Sequence, residues 1–289
     1  MVTRLLFVFL LVTSSLFAED SLSQEDVNSS VSVENLLDEK IKSFLGDAVY
    51  SENKDFIHIV FDPAEEYFVQ ERIDVVHVIK TLKENGLLKL FFEKPQTITL
   101  HFKTNGSPLF FVKLMGDALR NIGYYRYVTI ASSRTSSEFS WSINLTSEYI
   151  TDPIVLQNEL NKIGCKIVDI SRDAQKEWSY TVDMGHGFLN IESLQDTQEI
   201  HLKRSLYAHW LNVSNVNRLK ISSSRRNNWY PYIAYYDSSL HLLKVIKEDH
   251  KRRNIELEIP KNAKYIKISD LYTLKNVKDS LVLYPSEER

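Results

Sequence analysis

Ser51-Glu-Asn-Lys54 has the spacing of an S-x-x-K motif, in which a lysine activates a serine nucleophile. Its partner motifs, S-D-N and K-T-G, are absent, and the tetrad falls in a charged stretch, so it reads as a coincidence of composition. Asp62, Glu65 and Glu66 are close enough in sequence for an acid pair. Carboxylates at that spacing also open helices, where the N-terminal dipole favours them, and that reading is preferred. The eight His never fall at H-x-x-x-H or H-E-x-x-H spacing, and a single Cys forbids C-x-x-C. Cys165 occupies an apolar position and reads as a small buried hydrophobe. None of the eight Gly forms G-x-G-x-x-G, a P-loop or a G-x-S-x-G elbow. The expectation is therefore a non-enzymatic protein with no catalytic residue, metal ligand or cofactor.

Binding chemistry is better represented. Arg225-Arg-Asn-Asn-Trp-Tyr-Pro-Tyr232 places guanidinium and amide edges beside large aromatic faces. Such side chains dominate interface hot spots because they bury much area at little entropic cost. Arg225, Arg226, Asn228, Trp229 and Tyr230, just before Pro231, are expected to form an exposed patch. A second basic run follows at Lys251, Arg252 and Arg253. Residues 19–184 carry 17 Lys and Arg against 26 Asp and Glu, whereas residues 185–289 carry 17 against 12. A basic face in the second half would attract an anionic polymer or an acidic protein. The bland alternative is two solvated hairpin tips.

The elements that would carry these residues fall into two regions. Val33, Leu36, Leu37, Ile41, Phe44 and Leu45 recur at helical spacing up to Gly46, and a strand is expected at Phe56–Phe61, Phe-Ile-His-Ile-Val-Phe. A threefold pattern follows. Helices end at Leu82-Lys-Glu-Asn-Gly86, Leu119-Arg-Asn-Ile-Gly123 and Leu160-Asn-Lys-Ile-Gly164. Each Gly suits the left-handed position that closes a helix, and each Leu its last buried turn. Strands are expected after each Gly, at 87–92, 124–131 and 165–171, then turns, then second strands at 97–103, 137–145 and 177–182. This is a tandem αββ repeat. With 56–61 in front, residues 56–131 read β-α-β-β-α-β, the ferredoxin-like order. Small modules of this kind are similar to those that line up in rings and stalks of envelope machines.

Beyond Met184-Gly-His-Gly187 helical periodicity stops. Strand-like runs appear at 209–213, 218–222, 232–236, 240–246, 255–259, 265–268 and 281–284, which points to an antiparallel β-sandwich. Three segments carry a resemblance. Ala263-Lys-Tyr-Ile-Lys-Ile268 looks like the late strand that galactose-binding-like, discoidin-type jelly rolls write as Ala-Arg-Tyr-Val-Arg-Ile. Trp210-Leu-Asn-Val213 resembles their Trp-led early strand. Tyr232-Ile-Ala-Tyr-Tyr-Asp237, with Ser238-Ser-Leu240, resembles their strand and turn before a variable loop. The resemblance implies a jelly-roll fold and a glycan as one class of ligand. It carries over no sugar-contacting residue, and the terminal disulfide of many such domains is absent. The expected fold class is α+β.

The N-terminus sets the compartment. Arg4, an apolar run from Leu5 to Val12, and Ala18 form a cleavable secretory signal at 1–18, too short and too interrupted to anchor. Residues 19–32 read as a disordered acidic tether, followed by an α/β domain at 33–184 and a β domain at 185–289. No later segment is long and apolar enough to span a bilayer. One Cys in a chain of 289 residues with 43% apolar content means that core packing, not disulfides, holds the fold. That combination suits a periplasmic or secreted location. Asn28, Asn144 and Asn212 begin N-x-S/T sequons. Asn28, with Asp26 two residues before it, is the candidate glycosylation acceptor. The expected role is a structural or interaction component of a bacterial envelope assembly, with an envelope protein as partner and self-association as a further mode. The alternative is carbohydrate or cell-wall binding. Nucleic acid is excluded by compartment.

Overall fold

The structure is a computed structural model and describes residues 22–287. The signal expected at 1–18 lies outside the described residues. Packing divides the chain into two compact units that meet between Ile73 and Asp74.

The first unit is mainly helical. α1 (Leu22–Leu45) ends at Gly46, whose φ of 81° takes the chain into α2 (Asp47–Glu52) and α3 (Lys54–Val60). A 3-10 turn and a two-residue hairpin, β1 (Phe68–Val69) and β2 (Arg72–Ile73), complete it. Leu37, Ile41, Phe44, Ile57 and Phe61 are buried. Two expectations are corrected here. Residues 56–60 are helix, not strand, and Phe61 caps it: Ile57 and Phe61, one turn apart, go inward, while Ile59 stays exposed. A six-residue apolar run satisfies both periods, and i,i+4 burial decides it. α1 also begins at Leu22, so Asn28 lies within a helix rather than in a disordered tether.

The second unit opens with the α/β part. It contains α4 (Val75–Glu84), β3 (Phe91–Thr104), α5 (Pro108–Asn121), β4 (Val128–Arg134), β5 (Phe139–Tyr149), α6 (Pro153–Asn161), β6 (Lys166–Ala174) and β7 (Glu177–Asp183). Asp74 caps α4 by accepting from His77 N (3.0 Å), and Asp152 caps α6 by accepting from Ile154 N (3.0 Å). Pro108 and Pro153 occupy first-turn positions where no N–H is needed.

The three helix ends close alike. In all three helix ends the N–H after the Gly donates to the Leu carbonyl: Leu87 to Leu82 (2.9 Å), Tyr124 to Leu119 (2.9 Å) and Cys165 to Leu160 (3.0 Å). Each Gly N–H reaches the residue after that Leu. These are Schellman closures, with φ of 73°, 104° and 71° at Gly86, Gly123 and Gly164 and all three Leu fully buried.

The five strands order β4-β5-β3-β7-β6, with only β3 and β7 parallel neighbours. β3 and β4 both run antiparallel to β5, so α5 connects two parallel strands with a third between them. The turn expected at 94–96 is absent. β3 runs through it, and Pro95, which has no N–H for a ladder, lies in the register jump between Phe91 and Gln96. Ile98, Leu100, Phe102, Trp141, Ile143, Trp178 and Tyr180 alternate onto one buried face, and helices α4–α6 supply further buried residues.

The remaining strands are β8 (Ile200–Leu202), β9 (His209–Asn212), β10 (Arg218–Ser223), β11 (Pro231–Tyr236), β12 (Leu242–Lys247), β13 (Asn254–Glu258), β14 (Tyr265–Asp270) and β15 (Leu281–Ser286). They form two antiparallel four-stranded sheets, β13-β10-β15-β8 and β12-β11-β14-β9. Leu219, Ile221, Leu281 and Leu283 of one sheet join Ile233, Tyr235, Ile266 and Ile268 of the other in one core cluster. The segment between the two parts packs closely on the α/β part: a Cβ at Gly164 would stand 2.2 Å from the His186 carbonyl oxygen. α5 also reaches the β part, with Lys113 over the Trp210 ring, Arg120 over Tyr207, and Ser107 Oγ donating to Ser239 O (2.9 Å). The overall class is mixed α+β.

Candidate functional site

The expected patch lies on a cluster of three loops: β10–β11 (residues 224–230), β12–β13 (248–253) and β14–β15 (271–280). Two buried polar side chains tie the first and third of these loops together. Asn227 Oδ1 accepts from the N–H groups of Lys278 and Asp279 (both 2.8 Å), and its Nδ2 donates to Ser280 O (2.8 Å). Asp270 accepts from Tyr230 N through one oxygen, and from Tyr272 N, Thr273 N and Asn276 Nδ2 through the other, all at 2.9–3.0 Å. Backbone polar groups in loops must find partners, and these two side chains supply them.

This architecture brings together the two basic runs that are about 25 residues apart in sequence. Arg253 Nη1 donates to the carbonyls of Ser224 (2.5 Å) and Asn227 (3.3 Å), and Arg252 N donates to Trp229 O (3.1 Å). The five basic side chains do not share one role. Arg253 pins the neighbouring loop. Arg252 gives Nε and Nη2 to Glu248 (3.0 and 2.7 Å), so its charge is matched. Arg225, Arg226 and Lys251 are exposed, and among the described residues none of them has an ion-pair partner. Lys275 and Lys278, also exposed, come from the third loop. Sequence reading missed these two because each stands alone in the chain, and only the fold sets them beside the runs.

The aromatic part of the patch requires a correction. Trp229 is 1% exposed, belongs to the core cluster between the two sheets, and donates Nε1 to Ser269 O (2.9 Å). It anchors the loop from beneath and offers no exposed face. Asn228 is half-buried, with its N–H bonded to Asn276 O (2.9 Å). Tyr230 is half-buried and packs edge-on against Tyr272, ring centroids 5.0 Å apart, and Tyr272 is 64% exposed. The accessible aromatic surface is therefore the Tyr230–Tyr272 pair. What the loops present is a rigid rim with two rings, flanked by Arg225, Arg226, Lys251, Lys275 and Lys278. Such a rim can attract anions through the cations and hold a planar or ring-shaped group against Tyr272.

A second constellation lies on the polar face of the five-stranded sheet. His101 Nδ1 is 2.8 Å from Ser142 Oγ, and its Nε2 is 2.8 Å from Glu177 Oε1. Serine, imidazole and carboxylate follow the order of an acyl-transfer triad. Ser142 is nearly buried in mid-strand, and β5 is paired on both sides, so its backbone N–H groups are spent on the ladder rather than aimed at an oxyanion. The row instead continues a cross-strand polar network in which Thr99 Oγ1 donates to Asn144 Oδ1 (2.9 Å). Three strands contribute to it, which no short motif reveals.

Cys165 is buried, and burial, reinforced by Asp183, pushes its thiol up to about 11. Among the described residues no three His, Cys, Asp or Glu side chains are grouped to hold a metal ion, and no helix is long and apolar enough to cross a membrane. No protein-family model matches this chain, and no curated protein is similar enough to it to count as a relative.

Proposed function

We propose that the protein is an exported, non-catalytic interaction component of a bacterial envelope, periplasmic or secreted, and that it meets its partner through the three-loop rim. One observation carries this reading: buried Asn227 and Asp270 join two of the loops, Arg252 N and the Arg253 side chain join the third to them, and five exposed cations and the half-exposed Tyr230–Tyr272 pair stand on this frame. Loops locked onto sheets by buried polar bonds place surface groups reproducibly, as a recognition surface requires. The secretory signal pattern at 1–18 and the single buried Cys support the compartment.

The fold reading behind it is finer than α+β. The strand orders β13-β10-β15-β8 and β12-β11-β14-β9 support reading the β part as an eight-stranded jelly-roll sandwich, the fold that the resemblance to galactose-binding-like domains implies. The unit β3-α5-β4, with β5 between its strands, supports a split β-α-β arrangement of ferredoxin type, without the strand expected at 56–61.

A second reading, carbohydrate or cell-wall binding, is favoured by the exposure of Tyr272 beside Tyr230. Fractionation of the native host separates the two. A structural component runs in a large membrane-associated assembly, whereas a wall-binding protein is retained on purified wall. Exchanging Arg225 and Arg226 for Glu abolishes either behaviour if the rim is the contact. Unchanged partitioning of that variant would refute the rim as the site.

A further inference from the structure

Among the described residues β4 is the least guarded sheet edge. All seven of its residues are exposed, and among the described residues it pairs only with β5. Exposed edges invite pairing with another chain, and proteins blunt them with charge, Pro, bulges or short length. The other edges follow that rule. β6, at the far side of the same sheet, carries Lys166, Asp169, Arg172 and Asp173 and two register irregularities. β12 carries Lys244 and Lys247, β13 carries Glu256 and Glu258, β9 has four residues and β8 three. β4 reads Val-Thr-Ile-Ala-Ser-Ser-Arg, with no charge before its last residue. Its single irregularity, between Thr129 and Ala131, leaves Ile130 as the extra residue, 49% exposed. Ala131–Arg134 then pair in register with Ser142–Phe139.

A largely apolar groove of about 620 Å³, with Lys83, Lys89 and Asp152 also in its lining, reaches Tyr124, four residues before this strand. Leu88, Leu90, Phe91, Tyr124, Tyr149 and Ile150 contribute to its walls. Tyr124 leads into β4 within four residues, past the exposed Tyr125. An edge strand supplies backbone hydrogen bonds and an adjoining pocket supplies side-chain selection, the two parts of recognition by strand addition.

Charge identifies the occupant. From Tyr124 to Arg134 the chain carries Arg126 and Arg134 and no acid, and neither Arg has an ion-pair partner among the described residues. A second copy paired antiparallel about Ala131 would bring Arg134 opposite Val128, one diagonal step from Arg126, which sets like charges together. We propose that β4 binds an extended segment of a partner protein, flanked by Asp or Glu, by strand addition, with an apolar side chain of that segment seated in the Leu90–Tyr124–Tyr149 groove. This surface is separate from the loop rim and stands or falls without it.

The test uses the full mature chain and two fluorescent nine-residue peptides of alternating Val and Thr with Phe next to the C-terminal residue. One peptide ends in Asp at both termini, the other in Lys. Binding is followed by polarisation and by amide exchange at residues 128–134. The Asp-flanked peptide binds at least tenfold more tightly than the Lys-flanked one and slows exchange in β4. The Arg126→Glu, Arg134→Glu variant reverses that preference, and Leu90→Ala weakens both peptides with the same β4 protection pattern at saturation. Equal binding of the two peptides, or no slowing of β4 exchange, overturns the proposal. So does a parent dimer that Ile130→Lys converts to monomer without either peptide binding, which would assign the edge to a second copy.

Discussion

Replacing each of the three helix-closing glycines by alanine separates two costs that the repeat makes otherwise equal. Gly86, Gly123 and Gly164 share a left-handed backbone and the same pair of closing hydrogen bonds. Forcing an L-residue into that conformation costs roughly 1–2 kcal/mol at each site. The surroundings differ. A Cβ at Gly86 or Gly123 would meet nothing within 4 Å. A Cβ at Gly164 would stand 2.2 Å from the His186 carbonyl oxygen and 2.9 Å from its carbon, both backbone atoms that cannot swing aside. Relief requires moving the 186–188 segment, which strains the bond from Phe188 N to Ile163 O (3.0 Å). Overpacking of this kind adds about 1–3 kcal/mol. Gly86→Ala and Gly123→Ala should therefore each lose about 1–2 kcal/mol, and Gly164→Ala about 2–5 kcal/mol. Urea denaturation of the three variants, with unchanged slopes, measures this. Equal losses at all three sites, or a smaller loss at Gly164, would refute the packing of the 186–188 segment against the third helix end.

Other expectations follow from individual side chains. Trp229→Ala should lower stability by about 3–5 kcal/mol, because a large ring leaves the core, and thermal melts would show it. Asp237 is pushed up by burial, but hydrogen bonds from His241 N (2.8 Å), His241 Nδ1 (3.0 Å) and Ser239 N (2.8 Å) outweigh this and hold it below the usual carboxylate range. Its contribution is then present above the ordinary Asp pKa and is lost as pH falls through the lowered value. Acid melts of Asp237→Asn should accordingly show a shallower loss below about pH 4 than the parent. Cys165 should resist iodoacetamide at pH 8 in the folded protein and react in urea, with the label counted by mass.

The strands of the last hundred residues were legible to within a residue or two, because each alternates between turn residues. β8 escaped because three residues carry too little pattern. The helix ends were legible because Leu and Gly four apart encode a closure whose geometry only Gly satisfies. Phe56–Phe61 misled because aromatic and β-branched residues in a short run favour strand locally, while burial of Ile57 and Phe61 on one helical face decides otherwise. At the candidate site the cations of each run could be read, but their convergence could not. It depends on Asn227 and Asp270, two ordinary polar residues in sequence that become the bonding centres of two loops, and on Arg253, which pins the third to them. Trp229 was misplaced because its neighbours are polar and a Pro follows, which describes the loop's backbone and not the direction of one ring.

The most direct test of the three-loop rim is the retention of the chain from residue 19 onward on purified bacterial cell wall and on an envelope-protein fraction. The parent would be compared with Arg225→Ala, Arg226→Ala and with Tyr272→Ala, from about 0.05 to about 0.5 M salt. The double Arg variant should lose retention most at low salt, where exposed charges act over more than about 10 Å, and Tyr272→Ala should lose it at every salt concentration. Both should melt within a degree or two of the parent, since exposed side chains contribute within about 0.5 kcal/mol. Retention of both variants at the parental level, on the same fraction and with unchanged melts, would contradict the assignment of the rim as the binding surface.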